Sequence, residues 1–345
     1  SKDQLLQAYL GAAEQANDAE NTELTQKRYQ AAWDAAQALP ARDLRRTDAL
    51  EGLFLLAETD DEREAYASRI LAELSEPQGI ERAHVAWLKE QLAFNEPGAA
   101  ARVQLLQDAL ALRTATPLAD ASAPSLLMTR LSLAKALDAN QDSGKAQRVL
   151  QQRIDSLAQP ASQDRSYQAM QVRIQRVLAQ VDLAWFLIGH QRAMDAQAVA
   201  QQAQHELPAK LTVSWQQPSQ LVWEAVVWAQ LLATPTPALA EHWQAYERAK
   251  QAASFGSQKM VYHELDRALV GQALADTRLM AQGKAGVEEA LARLSDMARA
   301  NSTAPARPLP LCDPVRAREA ASNWRAVQQE ARHHMLIQLG GCGRQ

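Results

Sequence analysis

The sequence predicts an all-α protein, built from about 14–15 helices in antiparallel pairs, and three observations predict it. The 345 residues are dominated by alanine, leucine, glutamine, glutamate and arginine, all good helix formers. β-branched residues are sparse, and no stretch alternates apolar and polar positions as a half-buried strand does. Apolar residues instead recur three and four apart, in segment after segment separated by short turns. Connections that short join antiparallel neighbours. A hydrophobic content of 47% is ample for a buried core.

The clearest unit is residues 171–208. Val172, Ile174, Val177, Leu178, Val181, Leu183, Ala184, Trp185, Leu187 and Ile188 form a stripe wide enough to be covered on more than one side. Gly189, His190 and Gln191 make the break, with the glycine expected to supply a positive φ. A second helix runs from Ala193 to Leu207, with Ala196, Val199, Ala200 and Ala203 on one face, and Pro208 ends it. Residues after the 114–124 linker repeat this register through Leu133, Ala134, Leu137, Ala146 and Leu150, around an NQDSG turn. Ala35 before Pro40 is a fainter echo.

This pattern resembles the tetratricopeptide repeat, a 34-residue helix–turn–helix unit. Counting back from Pro208, Leu183, Ala184 and Leu187 fall on the leucine, small and large positions of the family's first helix. Ala196 and Ala203 fall on the two small positions of its second. Alanine there lets two backbones approach, and leucine fills the groove beside them. The chain departs from the family at Ala200, where an aromatic is usual, and at Gln180, where tryptophan is usual. The resemblance implies an α-solenoid whose first helices line a groove for a partner segment. Carried onto this chain, it puts Lys135 and Asp138 of one repeat, and Asp182 and Trp185 of the next, on that groove.

The remaining elements follow in order. Helices are expected at 2–17, 22–39, 42–58, 61–74 behind a Thr59 or Asp60 cap, 78–94 and 99–113. Residues 209–300 are rich in tryptophan, with Trp215, Trp223, Trp228 and Trp243 read as core. Helices are expected there around Val222–Leu231, at 237–253, and as a pair at 258–280 and 284–300 split by Gln282–Gly283. After a proline-rich connector, Asp313 and Pro314 start a last helix that runs to 339, before Gly340 and Gly341. Four regions result: 1–113, 125–208, 209–300 and 301–345.

Net charge of −4 argues against a general nucleic-acid binder. Residues 1–100 hold 10 basic and 19 acidic side chains, read as a solvated outer face. No apolar run is long enough to span a membrane. The chain opens on Ser1, which fits a processed precursor or a cloning scar. Cys312 and Cys342 make an even pair. A continuous helix over 314–339 is about 39 Å long, whereas a disulfide needs Cα atoms about 5.5 Å apart. Pairing therefore requires that helix to break, or two chains to join. The cysteines and the absent methionine tilt the reading slightly toward an exported bacterial (periplasmic) protein.

Catalytic patterns are few. His263-Glu264 opens a zinc-protease-like motif, but Arg267 stands where the second histidine belongs. Glu81–His84 and Glu330–His333 are Glu-x-x-His pairs of the kind di-metal bundles use. His84 lies on an apolar stripe and His333 off one, so they are not expected to converge. His333-His334 is read as polar surface near a helix C-terminus. No metal, cofactor or catalytic residue is expected. The function expected is a non-enzymatic adaptor binding another protein or peptide segment. The alternatives are a structural component of a bacterial envelope or secretion assembly, and a helical metal- or thiol-dependent enzyme.

Overall fold

The computed structural model describes residues 2–18, 22–40, 42–115, 123–157, 166–210, 212–251, 257–301, 312–313 and 323–342. Among these residues are fifteen α-helices and no strand, and within each unit most consecutive helices pack as neighbours. This is the all-α architecture that composition and periodicity imply. The chain divides into two compact units, Ser1–Ser143 and Gly144–Gln345.

The first unit holds α1 (Lys2–Asp18), α2 (Thr22–Ala36), α3 (Leu44–Leu56), α4 (Asp60–Glu73), α5 (Glu81–Asn95), α6 (Ala99–Thr114) and α7 (Pro124–Ala139). Its core gathers Leu50, Leu53 and Phe54 of α3 with Ile70, Leu74 and Leu88. Thr59 caps α4 in a reciprocal box: its hydroxyl accepts from the Glu62 backbone N–H, while the Glu62 carboxylate accepts from that of Thr59. Such a cap stabilises a helix by about 1 kcal/mol.

The second unit holds α8 (Ser143–Asp155), α9 (Tyr167–Gly189), α10 (Ala193–His205), α11 (Val213–Leu232), α12 (Ala238–Gln251), α13 (Ser257–Ala273), α14 (Thr277–Asn301), a 3-10 turn Asn323–Arg325, and α15 (Ala326–Gln338). In the α9–α10 hairpin, Leu183, Ala184, Leu187, Ala196, Ala200 and Ala203 are all buried, as the small-and-large register requires. The turn differs from expectation. Gly189 is still helical, and the positive φ of 59° belongs to Gln191. Arg192 N–H donates to the Leu187 carbonyl at 2.8 Å, closing the helix end. Gly189 marks a close approach: a Cβ there would lie 3.1 Å from the Trp324 Cα, tight enough that the neighbouring backbone would have to shift by a few tenths of an ångström.

A second correction concerns α13 and α14. The break falls at Leu274–Asp276, with Ala275 at φ 53°, and not at Gln282–Gly283. Gly283 sits inside α14, where it lets two backbones touch. A Cβ there would meet Ala268 N at 2.6 Å and Glu264 O at 2.8 Å. A glycine that permits close approach reads, in sequence alone, like one that breaks a helix. Gly283→Ala is expected to destabilise the protein by about 1–3 kcal/mol, because backbone cannot yield as a side chain can. Gly11→Ala in α1, where a Cβ meets nothing within 4 Å, is expected to stabilise by about 0.5–1 kcal/mol. Urea melts of the two variants check both signs.

The third correction is at the C-terminus. Cys312 and Cys342 are bonded within the chain, with Cα atoms 5.5 Å apart. Residues 314–322 of the expected helix over 314–339 lie outside the described residues, and in the remainder a 3-10 turn occupies Asn323–Arg325 and the α-helix starts only at Ala326. The expected linker (114–124) and the proline-rich connector fall largely outside the described residues. Among the described residues, no helix is long and apolar enough to cross a membrane.

Candidate binding pocket

Three helices and the C-terminal segment of the second unit enclose a cavity of about 380 Å³. Its walls follow helical spacing. Gln217, Gln220, Leu221 and Glu224 lie along one face of α11, and Tyr246 and Lys250 are one turn apart on α12. Tyr262 and His263 come from α13; Arg325, Gln329 and Arg332 come from the 3-10 turn and α15. Large apolar groups hold these helices together. Val227, Trp243, Tyr246 and Val270 form one cluster. Val261, Leu265, Met335 and Leu336 form another, against which Cys312 and Cys342 pack.

The base of the pocket is charged. Arg332 donates to both oxygens of Asp266, through Nε at 2.7 Å and Nη2 at 2.6 Å, and both residues are buried. Glu224 accepts from Arg325 Nη1 at 2.9 Å and from Gln328 Nε2 at 3.0 Å, with Arg332 Nη2 at 3.7 Å. Burial opposes ionisation of Glu224, but the Arg325 and Arg332 charges outweigh it and hold its carboxyl below the usual range. Burial, then the Glu224 and Asp266 charges, push the Tyr246 hydroxyl well up, so it stays a donor. Burial lowers Lys250 to about 8, partly opposed by Asp266 and Glu264. His263 is held far below its ordinary value by burial and by the Lys250, Arg267 and Arg332 charges, and so is neutral. Its ring stacks on Trp243 at 5.1 Å, and its Nδ1 is buried with no hydrogen-bond partner among the described residues.

Several polar atoms remain to receive a ligand. Among the described residues, Arg325 bonds Glu224 and Gln328 through Nη1 alone, while its guanidinium lies 4.1 Å above the Trp185 ring. Arg332 also lines the pocket, with its Nε and Nη2 directed at Asp266. The Gln329 Oε1 atom is buried and unpaired among the described residues.

The four expected partner-binding residues fall elsewhere. Lys135 and Asp138 are half-buried on α7, in the first unit. Asp182 pairs with Arg153 in the second. Trp185 is buried at 3% exposure beneath Arg325, and neighbouring Phe186 meets Trp324 edge-on at 5.6 Å. The chain's own C-terminal turn therefore covers this face of α9. His333 is also buried and not a surface residue, because α15 packs against both α9 and α13 and buries more than one stripe. Trp215, Trp228 and Trp243 are core as expected; Trp223 is half-buried.

The two Glu-x-x-His pairs lie in different units, and neither glutamate is directed at the histidine of its own pair. Glu81 turns to Arg42 and the Gln78 backbone, and Glu330 is exposed. His84 Nδ1 lies 2.8 Å from Glu51 of α3, and with Asp48 the three offer ligand atoms within 4.8 Å of one another. The Glu51 hydrogen bond, against the cost of burial, raises the affinity of His84 for its proton. A histidine raised in the folded state stabilises fully below its unfolded value near 6.5, and this is lost as pH rises through the higher folded value. Glu51→Gln is therefore expected to lower the melting temperature more at pH 5.5 than at pH 8.5; an equal loss at both ends rules the charged pair out.

Comparison of the chain with protein-family models, curated proteins and solved structures finds no match.

Proposed function

We propose that the protein is a non-enzymatic interaction scaffold, built of tetratricopeptide-like helix pairs, that receives a segment of a partner protein in the pocket of its second unit. The observation that carries this reading is the pocket itself: its lining residues come from several helices, while the expected groove face of α9 is filled by the C-terminal turn. Its volume falls in the range of ordinary ligand sites, with a small set of convergent polar groups. The buried register of α9 and α10 supports the repeat kinship. The Cys312–Cys342 bond favours an oxidising, exported setting. The alternative, a structural component of an envelope or secretion assembly, differs in having a large permanent interface formed by the C-terminal connector and last helix rather than a peptide site.

Selection of a random peptide library on the full chain tests the reading. Peptides sharing a consensus, and lost on Leu221→Arg, which fills the pocket from α11, are the expected result. Enrichment without a consensus, or equal binding to Leu221→Arg, overturns it.

A further inference from the structure

We propose that Asp48, Glu51 and His84 of the first unit bind one divalent transition-metal ion of the zinc type, which ties α3 to α5. The site goes beyond the partner-segment reading and does not depend on it. Three facts carry it. The ligands converge: Asp48 and Glu51 are three residues apart on one face of α3, and His84 reaches them from α5, which packs against α3. Each offers a ligand atom, and these atoms lie within 4.8 Å of one another. Zinc bonds of about 2.0–2.2 Å at tetrahedral angles space ligand atoms about 3.4 Å apart, so side-chain shifts of about 1 Å close the set. Nδ1 of His84 is already 2.8 Å from Glu51 Oε1, and an ion that displaces their shared proton leaves both groups satisfied. The donor chemistry also selects. One imidazole with two carboxylates suits zinc and its neighbours in the first transition row, whereas magnesium and calcium take oxygen ligands. The two carboxylates balance the charge of the ion, and the imidazole adds none. Finally, the surroundings favour a cation. All three residues are half-buried, so protein replaces part of the ion's hydration shell while an open side remains for water. The arginines that precede Asp48 have carboxylates elsewhere: Arg42 bonds Glu81, Arg45 bonds Asp43 and Arg46 bonds Glu73. Residues 1–100 hold 19 acidic side chains against 10 basic ones, a field that draws cations.

The test is calorimetric titration of the full chain, its disulfide intact, with zinc, cobalt(II) and magnesium salts, each ion alone. One equivalent of zinc is expected to bind, about a hundredfold or more tighter than magnesium. Cobalt is expected to show the visible absorption of a protein-held ion, and to lose it on His84→Gln. His84→Gln, Glu51→Gln and Asp48→Asn are each expected to weaken zinc binding about tenfold or more, because each removes one of three ligands. Asp48→Asn keeps the shape of the side chain and decides the matter if His84→Gln does not fold. His334→Gln removes an exposed histidine of the second unit and is expected to leave the affinity unchanged. Absence of stoichiometric zinc binding, affinity unchanged by Asp48→Asn and His84→Gln, a loss on His334→Gln in their place, or magnesium bound as tightly as zinc overturns the proposal.

Discussion

Arg332→Leu is expected to destabilise the protein by about 3–5 kcal/mol, among the largest effects of any single substitution. The reason is what stays behind. Asp266 is fully buried, and its two oxygens are bonded by Arg332. Without the guanidinium, a carboxylate remains in an apolar interior with its counter-charge gone. Glu224 is better placed, since Arg325 and Gln328 still bond it. Arg332 also lies 5.2 Å over Tyr262 and 5.6 Å over Trp228, so its loss removes packing as well. The double variant Asp266→Leu with Arg332→Leu is expected to recover much of the loss, because the pair's desolvation cost leaves with it. Burial already raises the Asp266 proton affinity, and removing Arg332 raises it further. A carboxyl raised in the folded state penalises folding above its folded value and not below its unfolded one, near 3.9. The deficit of Arg332→Leu relative to the parent should therefore shrink as pH falls toward 4. Urea melts across that range decide the matter: a deficit under about 1 kcal/mol, constant with pH, would show that the pair is not buried.

The fold class was legible in the sequence because it depends on period and composition, which are local. The helices of the first unit and the α9–α10 hairpin lie close to their expected bounds, and Thr59 caps as its spacing with Glu62 implies. Readings failed where one residue type serves two physical ends. Gly189 and Gly283 looked like helix breaks, and both prove to be contact points inside helices. The turns fell to Gln191 and Ala275, which carry no breaker signal. The pocket was harder to see, because the arginines at its base meet their carboxylates across sequence separations of 66 and 101 residues. One signal was present: Glu224 is the single charged residue in the apolar helix Val213–Leu232. A lone charge at a buried position of such a helix requires a partner, and that requirement alone does not say which helix supplies it.

Reduction of the Cys312–Cys342 bond is expected to lower stability by about 3–4 kcal/mol, from the loop-closure entropy returned to the unfolded chain. The two cysteines are 30 residues apart and both pack on the Val261–Leu336 cluster. For a unit of this size, the corresponding drop in melting temperature is roughly 6–16 °C. The effect should be uneven along the chain. The bond anchors the end of α15, and α15 brings Gln329 and Arg332 to the pocket. Two polar anchors remain after reduction, Arg332 on Asp266 and Gln328 on Glu224, both on the side of α15 away from its final turn. Amide exchange should therefore speed first in the last turn of α15, then at Arg332, with α9 amides slower to respond. Scanning calorimetry with and without reductant, together with exchange on the reduced chain, reads both effects. An unchanged melting temperature with unchanged exchange in α15 would mean that the Glu224 and Asp266 anchors alone hold the helix. The energetic weight of the C-terminal segment would then lie in buried charge rather than in the covalent bond.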